Sequence, residues 1–210
     1  MKQAPGRSTG AARPAPAHGG AGEVRIIGGQ WKRTPLSVPD LPGLRPTPGR
    51  VRETLFNWLG QDLAGWRCID AFAGSGALGL EAASRGAAVV LLCEQEPRLV
   101  AALQRAREKL GARNVEVRRG DGVAALREPA PAPWDLVLLD PPFDAGLFEP
   151  ALQAAGRALA PGGLVYLEAP EAWDDARLAA HGLGVRKQLR AGAVFAHLLV
   201  KSATVPAPRA

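Results

Sequence analysis

The sequence predicts an α/β fold, in which helices cover both faces of a doubly wound, mostly parallel sheet of seven strands. From Arg67 onward, five apolar runs alternate with helix-like segments, a pattern typical of parallel strands joined by crossover helices. A glycine-rich loop follows the first run, and two further strands near the end of the chain form a hairpin. We therefore expect the last strand to run antiparallel to its neighbours.

The alternation of apolar and polar residues predicts each element of this domain in order. Buried strands are expected at residues 68–72, 88–93, 115–118, 136–139 and 164–167. Helices are expected at residues 78–85, 97–110, 122–128, 148–159 and 173–181. The closing hairpin pairs residues 185–189 with 194–200. Such a hairpin is unusual in dehydrogenase-type Rossmann domains and normal in Rossmann-like class I methyltransferases.

The chain divides into four predicted segments. Residues 1–22 are rich in Ala, Pro, Gly and Arg, which predicts a disordered basic arm. Residues 23–60 are expected to form a small RNA-binding hairpin, with strands at 24–27 and 34–38, and a helix. This helix is expected to begin at Pro48, with Thr47 as its N-cap, and to end near Gly60. The methyltransferase domain is expected at 61–201 and a tail at 202–210.

Positive charge is concentrated near the N-terminus. Residues 1–52 hold nine basic and two acidic side chains, whereas the rest of the chain is almost neutral. A basic segment attached to a near-neutral domain favours a polyanionic partner, and a solvated surface charge is the alternative for each arginine. Phosphate contacts, with Trp31 stacking on a base, would make affinity fall with salt. The predicted RNA-binding residues are Arg25, Trp31, Lys32, Arg33, Arg45, Thr47, Arg50 and Arg52.

Other classes are disfavoured by what the sequence lacks. There is no apolar run of about 18 residues and no apolar signal segment, so neither a membrane span nor a secretory signal is expected. Cys68 and Cys93 lie in strand-like runs without metal-ligand spacing, which indicates buried thiols in a reducing cytoplasm. No metal is expected, and His197 is interpreted as a sheet histidine and not as a catalytic base.

The loop after the first strand points to a cofactor. It contains Asp70 followed by Gly74, Gly76 and Gly79, and it opens the first long helix. The glycines permit a tight turn and a close approach of backbone amides to a ligand, which a side chain would block. A carboxylate at residue 70 would repel a dinucleotide pyrophosphate, but it suits the sulfonium and ammonium groups of S-adenosylmethionine. An acidic cap for the helix is the alternative for Asp70.

Acidic residues at the ends of the next two strands support the same cofactor. Glu94 can accept hydrogen bonds from both hydroxyls of a ribose, as an acidic residue does in NAD sites. Asp121 can accept from an adenine amino group, or it can cap the following helix. The predicted cofactor-binding residues are Asp70, Phe72, Ala73, Gly74, Gly76, Ala77, Gly79, Glu94, Gln95, Asp121 and Gly122.

The sequence Asp140-Pro141-Pro142-Phe143 ends the fourth strand, beside the cofactor loop. The exocyclic amine of a nucleobase is a poor nucleophile, because its lone pair is conjugated into the ring. Acceptors at Asp140 and at a carbonyl near Pro141 would favour tetrahedral nitrogen and stabilise its developing positive charge. Phe143 would stack on a base that has left its helical stack. The motif predicts methyl transfer to a nucleobase amine; a proline-stiffened turn is the alternative.

These motifs, together with three N-terminal segments, resemble a known family. The segments are residues 28–33, 44–47 and 50–59, which read GGQWKR, LRPT and RVRETLFNWL. Over about residues 24–201 the chain resembles the bacterial 16S ribosomal RNA guanine-N2 methyltransferases. The resemblance implies S-adenosylmethionine as donor and guanine N2 of 16S rRNA as acceptor, met within a small ribosomal subunit. We expect a monomer. Gly49 departs from the family pattern, since similar proteins usually carry an acidic residue there.

Three alternatives stay open at the level of sequence. A DNA amino-methyltransferase would use similar chemistry, but it generally needs a large target-recognition domain. An NAD-dependent oxidoreductase is disfavoured by Asp70 and by the closing hairpin. A non-catalytic RNA-binding or assembly factor on the same fold would not need Asp140.

Overall fold

The structure is a computed structural model that describes residues 22–41 and 47–202. Its N-terminal part contains β1 (Gly22–Arg25), β2 (Pro35–Val38) and α1 (Gly49–Leu59). The predicted basic arm up to residue 21, the predicted RNA contact Arg45 and the tail after Ser202 lie outside the described residues.

The remaining elements alternate as the sequence predicts. They are β3 (Arg67–Asp70), α2 (Gly79–Ser84), β4 (Val89–Glu94), α3 (Pro97–Leu110), β5 (Val115–Arg119), α4 (Gly122–Arg127), β6 (Trp134–Leu139), α5 (Phe148–Ala158), β7 (Leu159–Ala169), α6 (Asp175–Ala179), β8 (Leu183–Ala191) and β9 (Val194–Lys201).

The predicted seven-stranded, doubly wound sheet is confirmed. Its strand order is β5-β4-β3-β6-β7-β9-β8, and β3 to β7 are parallel. The last strand, β9, is antiparallel to both of its neighbours. The direction of winding changes between β3 and β6, so a crevice is expected at the carboxyl ends of these two strands.

The strands are apolar along their length because helices cover both faces of the sheet. On one face, Cys68, Leu136 and Leu138 pack in a core that also contains Leu55 and Phe56 of α1. The opposite face contributes to a second core, together with α4 and α5, and its buried side chains include Ile69, Val137, Leu139, Val123 and Leu152. Two-sided burial explains the continuous apolar runs of the sequence.

The N-terminal hairpin and α1 share the first of these cores, and they meet at a buried carboxylate. Glu81 of α2 is fully buried. Its two oxygens accept hydrogen bonds from the backbone N–H groups of Ile27 and Gly28, both at 2.7 Å. Arg85 donates to Glu81 from Nε at 2.8 Å, and Nη1 of Arg52 lies 3.9 Å from it. One side chain of α2 therefore joins the hairpin to the sheet domain.

Two glycines let the hairpin approach α2 closely. A Cβ atom on Gly28 would collide with the guanidinium of Arg85. Gly29 has a φ of +72°, and a Cβ there would collide with the carbonyl of Ser84. The Ser84 hydroxyl donates to the Gly28 carbonyl and accepts from the N–H of Trp31. Residues 28–33, which resemble a family signature, thus form the contact between the hairpin and α2.

The start of α1 differs from the prediction. The helix begins at Gly49, with Pro48 at the N-cap position and no side-chain cap. Thr47 is buried, and its side chain lies close to Glu168 of β7. The predicted N-cap role of Thr47 is therefore wrong, because the helix starts one residue later than expected and the Thr47 side chain is buried against the sheet domain.

Helix α6 is shorter than the segment 173–181 that the sequence predicts. Asp174 caps it by accepting a hydrogen bond from the N–H of Arg177. Trp173 precedes the helix, and its backbone N–H donates to His197 of β9.

Within residues 22–41 and 47–202, no helix combines the length and apolar composition needed to cross a membrane.

Replacing Glu81 is expected to destabilise the fold. Glu81→Gln leaves the guanidinium of Arg85 buried without its anionic partner, which typically costs about 3–5 kcal/mol. Guanidinium chloride unfolding followed by circular dichroism gives the free energy of unfolding. Glu108→Gln, at an exposed position of α3, is the matched control and should change it by less than about 0.5 kcal/mol. Equal stability of the two variants would contradict the role given to Glu81.

Candidate functional site

The carboxyl ends of β3, β4, β6 and β7 lie side by side and bring together several acidic residues. Asp70 ends β3 and is almost completely buried. Its Oδ2 accepts from the N–H of Gly79, the first residue of α2, at 3.0 Å. Its Oδ1 is buried without a hydrogen-bond partner among the described residues. The alternative of a helix-capping role is thus confirmed for one oxygen, and the other oxygen remains for an external donor.

Burial raises the pKa of Asp70 to about 7. The hydrogen bond from the N–H of Gly79 opposes this rise, whereas the charges of Glu94 and Glu168 add to it. A ligand that supplies a positive charge or an N–H donor would stabilise the ionised form of Asp70. These are the groups that the sulfonium and ammonium of S-adenosylmethionine provide, so the observed carboxylate fits that cofactor.

Glu94 holds the glycine loop in place. Its Oε2 accepts from the N–H of Gly74 at 2.8 Å, and its Oε1 accepts from the N–H groups of Gln95 and Glu96 at 2.8 and 2.9 Å. This anchoring role was not predicted, because no local pattern indicates that the loop and the end of β4 touch. Contacts with ribose hydroxyls stay a prediction and would use the remaining lone pairs.

Asp121 caps α4, in agreement with the alternative interpretation. Its Oδ1 accepts from the N–H of Val123 at 2.8 Å, while Oδ2 makes no side-chain hydrogen bond within the described part of the chain. Gly122 packs so closely on β3 that a Cβ would collide with the carbonyl of Ala71. The loop after β5 is thereby pressed against the loop after β3. An adenine contact for Asp121 stays a prediction.

The glycines of the loop serve packing more than ligand approach. Gly76 has a φ of +77°, and a Cβ there would lie 2.6 Å from Cδ2 of Leu103, inside the core. A Cβ on Gly79 would collide with Leu92. A side chain at residue 76 would therefore displace the loop, and the expectation that it also blocks the approach of the cofactor stays a prediction.

The other predicted cofactor residues lie on or beside this loop. Ala73 is buried, and its N–H donates to the carbonyl of Cys93. Ala77 packs against Val24 and Val38 of the hairpin. Phe72 is half-buried and Gln95 is exposed.

The target motif follows β6 directly. Asp140 is half-buried and Pro141 is buried, whereas Pro142 is exposed. Phe143 is an apolar ring with 38% of its surface exposed, and its centroid lies 6.1 Å from that of Phe148. The alternative of a stiff turn is also realised, because the Pro142 carbonyl accepts from the N–H of Ala145 at 3.2 Å. The turn presents an aromatic face beside a carboxylate.

A further carboxylate, which sequence reasoning missed, lies in the same site. Glu168 of β7 is 4% exposed, and its Oε1 accepts from the Tyr166 hydroxyl at 2.9 Å. Burial is the main cause that raises the pKa of Asp140 well above its ordinary value, and the charges of Glu168 and Asp70 add to it. The signal in the sequence was an acidic residue at the end of a buried strand, level with Asp140.

The predicted RNA-binding residues separate into exposed and buried groups. Arg25, Lys32, Arg33 and Arg50 are exposed, although Arg25 pairs with Glu23 at 2.6 Å. The ring of Trp31 is half-buried and packs on the core of the sheet domain, so only part of it is open to a base.

Arg52 and Thr47 are corrections to the predicted set. Arg52 is 5% exposed; its Nη1 donates to the carbonyl of Arg25 at 3.0 Å and its Nε to the carbonyl of Thr47 at 3.2 Å. Burial also lowers the pKa of this guanidinium. These two residues brace the N-terminal segment from inside, and they do not face a phosphate.

The interpretation of His197 is confirmed. The ring is fully buried in β9; Nε2 accepts from the N–H of Trp173 at 3.0 Å, and Nδ1 lies 3.3 Å from the carbonyl of Leu167. Burial lowers the pKa of this imidazole, which keeps it neutral. In the described ranges, no group of three or more His, Cys, Asp or Glu residues is arranged to hold a metal ion.

Comparison with known proteins gives consistent matches. The family model described as conserved hypothetical protein 95 matches residues 24–199. The ribosomal RNA small subunit methyltransferase D of Escherichia coli is 45% identical over 155 residues, which cover 73% of this chain and 78% of that protein. The protein of the same name from Haemophilus influenzae is 41% identical over 152 residues, covering 70% and 79% of the two chains.

Solved structures show the same fold. An Escherichia coli structure superposes with a TM-score of 0.76 at 36% identity and covers 87% of this chain and 100% of its own. A Thermus thermophilus 16S rRNA N2 methyltransferase superposes with a TM-score of 0.68 at 22% identity, covering 91% of this chain and 53% of its own. At that identity the second match supports the fold alone.

Asp70 is expected to lower the stability of the protein as pH rises. Its pKa of about 7 in the fold lies above the ordinary 3.8, so the folded chain keeps a proton that the unfolded chain releases. The loss of stability builds up between about pH 4 and 7. In Asp70→Asn the amide oxygen can still accept from Gly79, and Tm should rise by about 2–8 °C at pH 8.

Thermal unfolding at pH 5 and pH 8 tests this expectation. The gain of Asp70→Asn over the unaltered protein should be smaller at pH 5, while Asp144→Asn, at an exposed position, should show no such difference. If the Tm of Asp70→Asn at pH 8 were lower than that of the unaltered protein, the raised pKa of Asp70 would be contradicted.

Proposed function

The chain belongs to the family of the ribosomal RNA small subunit methyltransferases D, and we propose that it methylates a guanine of 16S ribosomal RNA. The acceptor is the exocyclic N2 amine, and the methyl donor is S-adenosylmethionine. The observation that carries the proposal is the position of Asp140-Pro141-Pro142-Phe143 directly after β6, beside the end of β3 with its buried Asp70. A donor site and a base site therefore share one edge of the sheet.

The donor is held by residues at the ends of β3, β4 and β5. The free Oδ1 of Asp70 would accept from its charged or N–H groups, and Glu94 and Asp121 would accept from its ribose and adenine. The donor supplies a methyl group on a positively charged sulfur, which leaves the methyl carbon open to attack. The anchoring of Gly74 by Glu94 keeps the loop in shape for this ligand.

Asp140 and Phe143 act on the guanine. The ring of Phe143 offers an exposed face on which an extruded base can stack. Asp140 accepts a hydrogen bond from the N2 amine, which draws the nitrogen out of conjugation and directs its lone pair away from the carboxylate. As the nitrogen gains positive charge, the carboxylate stabilises it and is placed to receive the departing proton.

The substrate is proposed to be met within a small ribosomal subunit. The exposed basic residues Arg25, Lys32, Arg33 and Arg50 lie on the N-terminal hairpin and at the start of α1. Their charges can neutralise phosphates and give an affinity that depends on salt.

Asp140→Asn is expected to lower the rate of methyl transfer by about 100-fold or more, a typical effect of removing one charge-stabilising group. Unmodified small subunits and labelled donor are incubated with the protein, and the labelled base is then mapped. Donor binding, measured by calorimetry, should change little, and Asp144→Asn should behave like the unaltered protein. Full turnover by Asp140→Asn, or label on another base atom, would refute the proposal.

Removing Lys32 and Arg33 together is expected to weaken binding of the subunit or its RNA. The logarithm of the affinity should fall less steeply with the logarithm of the salt concentration, by about one unit of slope for each phosphate that is no longer neutralised. Lys187→Ala, exposed on β8 at the far edge of the sheet, is the control. An unchanged salt slope in the double variant would remove the hairpin from the RNA interface.

A further inference from the structure

Two carboxylates of the target site are neighbours on adjacent parallel strands. Leu139, the last residue of β6, is level with Leu167 of β7; Asp140 directly follows β6, and Glu168 is the next residue of β7. Asp70 is level with Leu138 and Tyr166, and Asp140 and Glu168 come two residues after these along their chains. Because strand residues alternate between the two faces, the side chains of Asp70, Tyr166, Asp140 and Glu168 lie on the same face of the sheet. Asp140 is thus flanked by a carboxylate on each side.

Glu168 is held firmly in this row. The Tyr166 hydroxyl donates to its Oε1 at 2.9 Å, and the side chain of Thr47 lies close to the same carboxylate. Both hydroxyls favour the charged form of Glu168, but burial outweighs them and raises the pKa of this carboxyl. Thr47 belongs to the segment that leads into α1, so the N-terminal part of the chain helps to set the charge at the target site.

This acidic row has no cationic partner among the described residues. None of the salt bridges there involves Asp70, Asp140 or Glu168. The titratable groups that act on the row are these three carboxyls, Tyr166 and, through Asp70, Glu94. Two neighbouring carboxylates, one half-buried and one buried, cannot both ionise without a cost, so such a pair binds a proton or a cation strongly.

We propose that Glu168 is a positioning residue for the reaction, whose negative charge makes the adjacent Asp140 a stronger acceptor for the proton that the guanine N2 loses. This inference rests on the proposed function and adds to it a residue that acts through Asp140. Glu168 is too enclosed to touch the base itself, since only 4% of its surface is exposed.

The reaction balances with this assignment. The N2 lone pair forms a bond to the methyl carbon, and the carbon–sulfur bond breaks with its electron pair retained by sulfur. N2 then carries a positive charge and two hydrogens, and one proton passes to the Asp140 carboxylate, which becomes a neutral acid. The negative charge of ionised Glu168 stabilises the cationic nitrogen and raises the affinity of Asp140 for this proton.

The test is the pH dependence of single-turnover methyl transfer at saturating donor and subunit. The rate falls at low pH as Asp140 becomes protonated. Glu168→Gln keeps the size of the side chain and an acceptor for Tyr166, but it removes the charge. Because the pKa of Asp140 then falls, the acid limb should shift to lower pH by about one unit or more. The plateau rate should fall about tenfold or more, while KM for donor and subunit changes little.

Two further variants separate charge from structure. Glu168→Asp retains the charge, so its acid limb should stay close to that of the unaltered protein. Tyr166→Phe keeps both carboxylates but weakens the charged form of Glu168, so it should shift the limb in the same direction as Glu168→Gln and by less. Glu171→Gln, at an exposed position just beyond β7, should leave the profile unchanged. Calorimetry of donor binding verifies that each variant is folded.

The outcomes distinguish this inference from the function on which it rests. An unmoved acid limb in folded Glu168→Gln and in Tyr166→Phe would overturn the role of Glu168, while methylation of guanine N2 by the unaltered protein would still support the proposed function. If the unaltered protein labels no guanine N2, the proposed function itself fails.

Discussion

The fully buried carboxylate of Glu81 holds the two halves of the molecule together. It binds two backbone N–H groups of the N-terminal segment and one arginine that follows its own helix, α2. The first residue of the same helix is bound by Asp70, at the proposed donor site. Nη1 of Arg52 in α1 also lies 3.9 Å from Glu81, and Thr47, which leads into α1, lies close to Glu168. The position of one short helix therefore governs both the donor side and the base side of the crevice.

The two kinds of buried carboxylate in this fold differ in how they are satisfied. Glu81 has donors on both oxygens and a guanidinium in contact, so its charge supports the native packing. Asp70, Asp140 and Glu168 lie close together without a described counter-charge, and the pKa of each is raised. An arrangement that costs stability in the free protein is typical of a site that gains its missing partners from ligands.

Sequence reasoning predicted the sheet well, because parallel strands buried on both faces give long apolar runs that leave few alternatives. It also located Asp70, Glu94, Asp121 and Asp140, since loops at the carboxyl ends of parallel strands converge. It could not tell which way a side chain would point across a tertiary contact. Arg52 was expected on the surface and is buried, and Glu168 was overlooked because its strand carries no local motif.

The close docking of the hairpin has a consequence for how such proteins can be recombined. Gly28 and Gly29 fit against Ser84 and Arg85 with no room for a side chain, so the two surfaces are closely complementary. A chimera that borrows the first sixty residues from a distant relative would need the matching turn of α2 as well. Grafting the N-terminal segment alone is therefore not enough to give the protein a new RNA specificity. Residues on the two sides of this interface should covary among homologues.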